Sequence, residues 1–272
     1  MSDLPALLGV TATLLGTGTS TGVPILGCRC RVCTSDDPRD ARLRTSAHVV
    51  ADTAAGPVHI QIDTGPDFRQ QALRSGVTAV DALVVTHHHF DHVVGLDDLR
   101  PLFFVNRRPI PVVATAESAA VLRGMFGYVF DRTYPGASLL DLPETDGAAP
   151  FVVESRSGSG AAVEVTPVSG RHGRIGVTGV RIGPFAYLTD VNAVPDATVE
   201  ALRGVGALVL DGLRPEPHPT HLSFGEATRV AQRVGARETW LVHMTHAVTH
   251  AEGDALLPPG VRLGYDGLVI RA

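Results

Sequence analysis

The segment Thr86-His87-His88-His89-Phe90-Asp91-His92 constrains this chain more than any other part of it. It sets imidazoles and a carboxylate in the order H-x-H-x-D-H, directly after the apolar run Ala82-Leu83-Val84-Val85. Divalent metals of borderline softness take neutral imidazole and carboxylate donors, and a catalytic site keeps one coordination position open for water. A chain leaving a buried strand can aim His87 and His89, two residues apart, at one ion. Asp91 and His92, past the bend, then reach a second.

Composition removes several other chemistries. At 272 residues the chain can bury a substantial core, as one large domain or two small ones. A formal charge of −5 gives no sign of a polyanion-binding face. All 23 basic residues are arginine, so neither a P-loop lysine nor a Schiff-base lysine exists here. No apolar stretch approaches the roughly 20 residues of a membrane span. Met1-Ser2-Asp3-Leu4-Pro5 lacks the basic start of a secretory signal, which makes the cytoplasm the expected location. Cys28, Cys30 and Cys33 are the only cysteines, and an odd, tight cluster in such a chain reads as a metal site rather than a disulfide framework.

Apolar runs place strands at Val10–Leu15, Val58–Asp63, Ala82–Thr86, Val112–Ala114, Val163–Val168, Phe185–Thr189, Ala207–Leu210, Thr239–His243 and Leu268–Ile270. Helices are expected over Pro66–Ser75, Glu117–Phe126, Pro195–Leu202 and Ser223–Val234. In the last, Ser223 and Glu226 form an S-x-x-E capping box and Gly235 is the stop. The alternation argues for an α/β fold with two mixed sheets between helical layers, and no linker divides residues 1–272. Ser155–Gly160 reads as a surface turn. The glycines of Gly16–Gly22 are spaced G-x-G-x-x-x-G, and Val23-Pro24-Ile25 blocks the helix a dinucleotide loop needs, leaving a tight turn.

A two-metal site needs more donors than the first motif supplies. His172 follows the strand at Val163–Val168, Asp190 closes Tyr187-Leu188-Thr189-Asp190, and His243 ends Trp240-Leu241-Val242-His243. All three sit at strand ends, where α/β proteins build their sites.

In chain order, Asp63, His87/His89/Asp91/His92, His172, Asp190 and His243 resemble the metallo-β-lactamase superfamily, whose fold is a four-layer αββα sandwich. The resemblance implies that His87, His89 and His172 bind one divalent ion, that Asp91, His92 and His243 bind another, and that Asp190 bridges. Asp63 then orients the ligands, and a hydroxide bridging the two ions, zinc or manganese, is the nucleophile. A narrower resemblance rests on Cys28-x-Cys30-x-x-Cys33 and on His246, three residues past His243. These are similar to the PhnP-type phosphodiesterases, in which such a set holds a structural zinc in a closed Cys₃His shell. The similarity extends to Asp63–Phe68, His218-Pro-Thr-His221 and Tyr265-Asp266-Gly267. By that analogy His221, 22 residues before His243, is the proton donor to the leaving group, with His218 as the competing choice.

His88 should turn away from the metals. His48, His59 and His250 read as surface or structural residues, and Arg171, Arg174 and Arg214 as solvated borders of the ligand loops. The implied function is hydrolysis of small phosphodiesters, cyclic ones included, without long nucleic acid or membrane as partner. Alternatives are tRNA 3′-processing nuclease chemistry, lactone or thioester hydrolysis, and a pyrroloquinoline-quinone-biosynthesis-type oxidative role. The motifs leave the oligomeric state open, a homodimer included, and say little about Arg100–Pro150.

Overall fold

The computed structural model describes residues 4–131, 133, 140–142 and 149–272. In the first half, β1 (Leu7–Gly16), β2 (Ser46–Thr53), β3 (Gly56–Ile62), α1 (Phe68–Ser75) and β4 (Ala82–Val84) lead to the short α2 (Phe90–Val93). Next come α3 (Arg100–Asn106), β5 (Ile110–Val113), α4 (Ala116–Met125), α5 (Gly127–Phe130) and β6 (Leu140–Asp141). The second half has β7 (Phe151–Glu154), β8 (Ala162–His172), β9 (Ile175–Ile182), β10 (Phe185–Leu188), α6 (Asp196–Leu202) and β11 (Ala207–Asp211). It ends with α7 (Phe224–Val234), β12 (Glu238–Val242), α8 (His250–Ala255), β13 (Val261–Leu263) and β14 (Val269–Arg271).

Two seven-stranded sheets result, in the orders β14-β1-β2-β3-β4-β5-β6 and β13-β12-β11-β10-β9-β8-β7. Each is antiparallel on one side and parallel on the other. Pairing turns parallel at β3–β4 in the first sheet and at β10–β11 in the second. The alternation of strand side chains makes the layers. In β10, Phe185 and Tyr187 face the core between the sheets, joined there by Val49, Ile60 and Val84 of the first sheet. Ala186 and Leu188, one residue out of phase, pack beneath α6 and α7 with Phe224, Val230 and Val234. On the opposite flank Leu83 and Val112 pack against Phe68, Leu96 and Leu122. The architecture is therefore the four-layer αββα sandwich.

The capping box of α7 forms as read, with Ser223 N donating to Glu226 Oε2 (2.9 Å), and Gly235 ends the helix at φ 71°. Such a cap contributes about 1 kcal/mol. The expected strands and helices map onto β1, β3, β4, β5, β8, β10, β11, β12 and β14 and onto α1, α4, α6 and α7. The sequence reading passed over β2, β6, β7, β9 and β13. Val152, Glu154, Asp52 and Arg262 on three of them are exposed, so their apolar residues come in broken pairs rather than runs. Of Arg100–Pro150, the part at 132, 134–139 and 143–148 lies outside the described residues, as does Met1–Asp3. Among the described residues no helix is long and apolar enough to cross a membrane.

Asp266 closes the structure at its C-terminal end. It accepts hydrogen bonds from Thr17 Oγ1 and Leu43 N, both 2.9 Å, and so ties the end of β1 to the last turn. Burial raises its carboxyl to about 6, against the lowering by those bonds. A raised folded-state pKa means that the stability linked to this group is full below the unfolded value of about 3.8 and declines as pH rises through about 6. Relative to Asp266→Asn, the metal-free wild type should lose on the order of 3 kcal/mol between pH 4 and pH 7. Urea melts of both proteins at the two pH values read this directly; a constant difference would refute it.

Candidate metal centre

Three residues of the site adopt the left-handed backbone region: Asp63 (φ 56°), Asp190 (φ 55°) and His243 (φ 65°). Asp63 and His243 immediately follow β3 and β12, and Asp190 lies two residues past β10. Non-glycine residues pay roughly 1–2 kcal/mol for this conformation, Asp and His being among those that enter it most readily. The turn stops each strand and swings the side chain over the sheet rim. From the other side, α2 begins directly after His89 and carries Asp91 and His92 down to the same rim.

Two donor groups meet there. His87, His89 and His172 form one, and Asp91, His92, Asp190 and His243 the other; within each group the ligand atoms lie within 4.8 Å of one another. Asp190 Oδ2 stands 3.1 Å from His243 Nε2, 3.3 Å from His92 Nε2 and 3.8 Å from His87 Nε2, so it touches both groups. Asp91 Oδ2 is 3.3 Å from His92 Nε2 and 3.6 Å from His243 Nε2. The Nε2 atoms of His87, His92 and His243 are buried and make no hydrogen bond among the described residues. Buried imidazole nitrogens without partners, facing carboxylates, are the donor set of a divalent ion. The residues fit a metal pair.

The ligands are held from behind. Asp63 accepts from Thr86 N (2.8 Å) and Thr86 Oγ1 (2.7 Å), and its Oδ2 meets His92 Nδ1 at 2.7 Å. That arrangement fixes the ring and leaves Nε2 toward the centre. His172 is fixed in the same way by Nδ1 against the carbonyl of Thr220 at 2.8 Å. Burial, reinforced by His92, pushes His87 well below the usual imidazole range. Burial opposes charge on His92 too, yet Asp190 and Asp63 push it well above that range. Burial likewise opposes ionisation of Asp91, but its contacts with His243 and His92 hold it well below the carboxylate range. What draws a proton onto His92 draws a metal ion equally.

His221 stands at the edge of the centre, its ring 4.6 Å from that of His172 and stacked 4.7 Å from that of His243. Its Nδ1 meets Asp211 Oδ1 at 3.2 Å. Asp211, at the end of β11, is a site residue that the sequence reading missed. It is fully buried and accepts from Leu222 N (2.8 Å) and Asp190 N (3.2 Å), joining the His221 loop to Asp190. The signal was present in Val209-Leu210-Asp211, another carboxylate at a strand end, but no spacing rule singles it out. Burial holds His221 below the ordinary imidazole value, and Asp211 occupies its Nδ1. His218 lies farther out, its ring 5.3 Å from His221 and its Nδ1 engaged by Thr220. His88 turns away as expected, toward Ser118 Oγ at 3.3 Å. Of the two roles open to His48 the structure shows the structural one: it is buried and pairs with Gln61 and His59, both at 3.3 Å. Arg171 and Arg174 are exposed, and Arg214 is half-buried.

A second site forms in the loop after β1, where Cys28, Cys30 and Cys33 surround His246 Nδ1 at 3.5, 3.3 and 3.3 Å. A tetrahedral zinc with bonds of about 2.3 Å to sulfur and about 2.0 Å to nitrogen separates those atoms by about 3.5 Å. The set fits one zinc with no position left for water. The Cys33 N–H lowers the Cys30 thiol to about 6, which favours the thiolate a metal needs.

Comparison with known proteins agrees with this geometry. The β-lactamase superfamily domain model matches residues 59–244. A diphosphatase of the PhnP family superposes with a TM-score of 0.86 at 39% identity, covering 98% of both chains. An octanoyltransferase of Porphyromonas gingivalis is 42% identical over 258 residues, 94% of this chain and 50% of that protein, so the chain spans about half the length of that relative. Coenzyme PQQ synthesis protein B of Methylobacterium radiotolerans is 29% identical over 224 residues, 73% of this chain and 71% of that protein. The chain belongs to the metallo-β-lactamase superfamily, in its PhnP-type branch.

Proposed function

We propose that this protein is a hydrolase, a phosphodiesterase acting on small phosphodiesters, with cyclic ones in its range, and working with zinc or manganese in the seven-residue centre. The observation that carries the reading is the complete donor set with His221 aimed into it by Asp211. The diphosphatase title of the 39%-identical structure supports phosphoryl chemistry. His87, His89, Asp91, His92, His172, Asp190 and His243 would hold two divalent ions, which would supply Lewis acidity toward phosphoryl oxygens and lower the pKa of a nucleophilic water.

The chain's own residues do the rest. Asp63 and the Thr220 carbonyl keep His92 and His172 in one orientation, so no reorganisation is needed as charge develops. His221 Nε2 faces the open side and hands a proton to the leaving oxygen. Its own value, lowered by burial, must rise when the anionic ester arrives, since a negative neighbour favours imidazolium. Asp211 keeps Nδ1 occupied, so the proton moves through Nε2 alone. We assign one zinc to the Cys₃His set and, because three reduced thiols must persist there, a cytoplasmic setting. A small-molecule substrate fits the acidic net charge of −5 better than a polynucleotide does.

The octanoyltransferase relative, matched over 94% of this chain, favours a second reading in which the ester is an acyl thioester. A panel of 2′,3′-cyclic nucleotides, linear diesters, lactones and octanoyl thioesters separates the two. Phosphodiesters should turn over fastest by at least tenfold, and a thioester preference would replace the first reading with the second.

Four substitutions test the roles. His89→Ala or Asp91→Ala should abolish hydrolysis of bis(p-nitrophenyl) phosphate and lower bound metal measured by elemental analysis; retained activity with full metal rejects the centre. His221→Ala should slow alkyl esters about 10²–10⁴-fold but p-nitrophenyl esters much less, because a good leaving group needs no proton. Equal slowing of both rules out proton donation. Cys30→Ala should release one zinc per chain and lower the melting temperature while the catalytic pair stays bound; unchanged zinc and melting temperature would dismiss the Cys₃His assignment.

A further inference from the structure

Five of the seven metal donors, His87, Asp91, His92, Asp190 and His243, are buried. The other two, His89 and His172, keep part of their surface in solvent, with their rings 5.0 Å apart. A substrate therefore reaches the centre over this pair. The two flanks of that entrance differ in chemistry. Beyond His172 stand further imidazoles, His221 at 4.6 Å from His172 and His218 at 5.3 Å from His221. Beyond His89 comes Phe90, the first residue of α2. Phe90 is 62% exposed, and among the described residues no other ring or guanidinium stacks on it.

Neither metal binding nor packing asks for phenylalanine at this position. The ligand pattern fixes His89 and Asp91 on either side of it, and a side chain so exposed adds little to the core. His88, one residue earlier, is used differently, turned away to Ser118 Oγ at 3.3 Å. Phe90 is adjacent in the chain to a donor of each half of the centre, with neighbouring Cα atoms about 3.8 Å apart, so its ring stands at the lip of the site.

We infer that Phe90 is a specificity-determining residue, a platform on which the flat base of a nucleoside-type phosphodiester stacks while its phosphoryl group lies over the metal donors. The inference rests on the phosphodiesterase reading above and narrows its substrate class to diesters that carry an aromatic ring. A single exposed phenyl offers one flat π-face. Another planar ring covers that face and keeps its own shape, whereas an alkyl chain must give up rotamer freedom and needs an enclosed apolar cleft to gain as much. Every base has a π-face, so the platform selects for the presence of a base and not for its identity.

The test compares two cyclic phosphates of the same sugar, adenosine 2′,3′-cyclic phosphate and methyl riboside 2,3-cyclic phosphate, on the full chain with its metal sites filled. The wild type should favour the adenosine ester by about tenfold in kcat/KM, mostly through KM. Phe90→Ala should erase that preference and Phe90→Trp should keep it. Phe90→Leu, which retains apolar contact without a π-face, should lose most of it. Elemental analysis and thermal melts check that the variants stay loaded and folded, as expected for a residue outside the core. A variant that lost metal would slow on both esters together, so the ratio between them still reads the base. Equal kcat/KM for the two esters in the wild type, or a preference that survives undiminished in Phe90→Ala or Phe90→Leu, overturns the inference while leaving the phosphodiesterase reading in place. Failure of the wild type to hydrolyse either ester would strike that reading, and the inference with it.

Discussion

Four carboxylates, those of Asp63, Asp91, Asp190 and Asp211, are buried at one rim of this molecule, and the rest of the structure is arranged around that fact. Burying an unpaired ion costs several kcal/mol even after relaxation. Here each carboxylate is met either by imidazole, by backbone N–H or by both. Asp63 and Asp211 accept hydrogen bonds from the chain and serve rings behind the centre, whereas Asp91 and Asp190 turn their oxygens inward toward unpartnered nitrogens. The division separates groups that position from groups that bind. It also separates how the charges are met: the outward pair by the protein, the inward pair by imidazoles and by the cations they would hold.

Sheet topology supplies the place for this balance. Both sheets are parallel on the side carrying β3–β4 and β10–β11–β12, so these strands all deliver their ends to one rim. Their faces are covered by the central core on one side and by helices on the other, which is why they are continuous apolar runs. A rigid, fully buried strand ending in a left-handed turn fixes the first polar side chain after it closely. Asp63, Asp190 and His243 all use that device, which a loop of ordinary flexibility lacks. The strain of the turn is offset by what the side chain then reaches.

Legibility in the sequence follows the same division. The ligands were readable because the chemistry dictates residue types at short spacing (His87, His89, Asp91 and His92) or at the ends of strong apolar runs (His172, Asp190 and His243). The αββα layering was readable from those same runs. Asp211 was not, since its importance lies in a contact to His221 ten residues later, across a loop whose path no local rule predicts. The surroundings of His48 were hidden for a related reason: it sits on β2, whose mixed sequence hides a strand, so its contact with Gln61 could not be inferred. Interactions between distant segments were the part that remained hidden.

The two metal-binding places are linked through the chain after β12, and more than metal holds that chain. It carries His243 into the catalytic centre and His246 to the cysteines, only three residues apart. Arg42, almost fully buried, donates to the carbonyls of Thr245 and, at 3.2 Å, Val248, bracketing His246 from behind. Its own backbone pairs with Val23 in both directions, at 2.7 and 2.8 Å, just before the cysteine loop. Asp40, 3.3 Å from the guanidinium, accepts the N–H of His250 at 2.6 Å and ties down the far end of the segment. Cysteine loop and histidine loop are thus in register through hydrogen bonds alone. The Cys₃His set is therefore best understood as a lock closed on loops already aligned, and the precision of His243 as a property of Arg42 and Asp40 as much as of any ion.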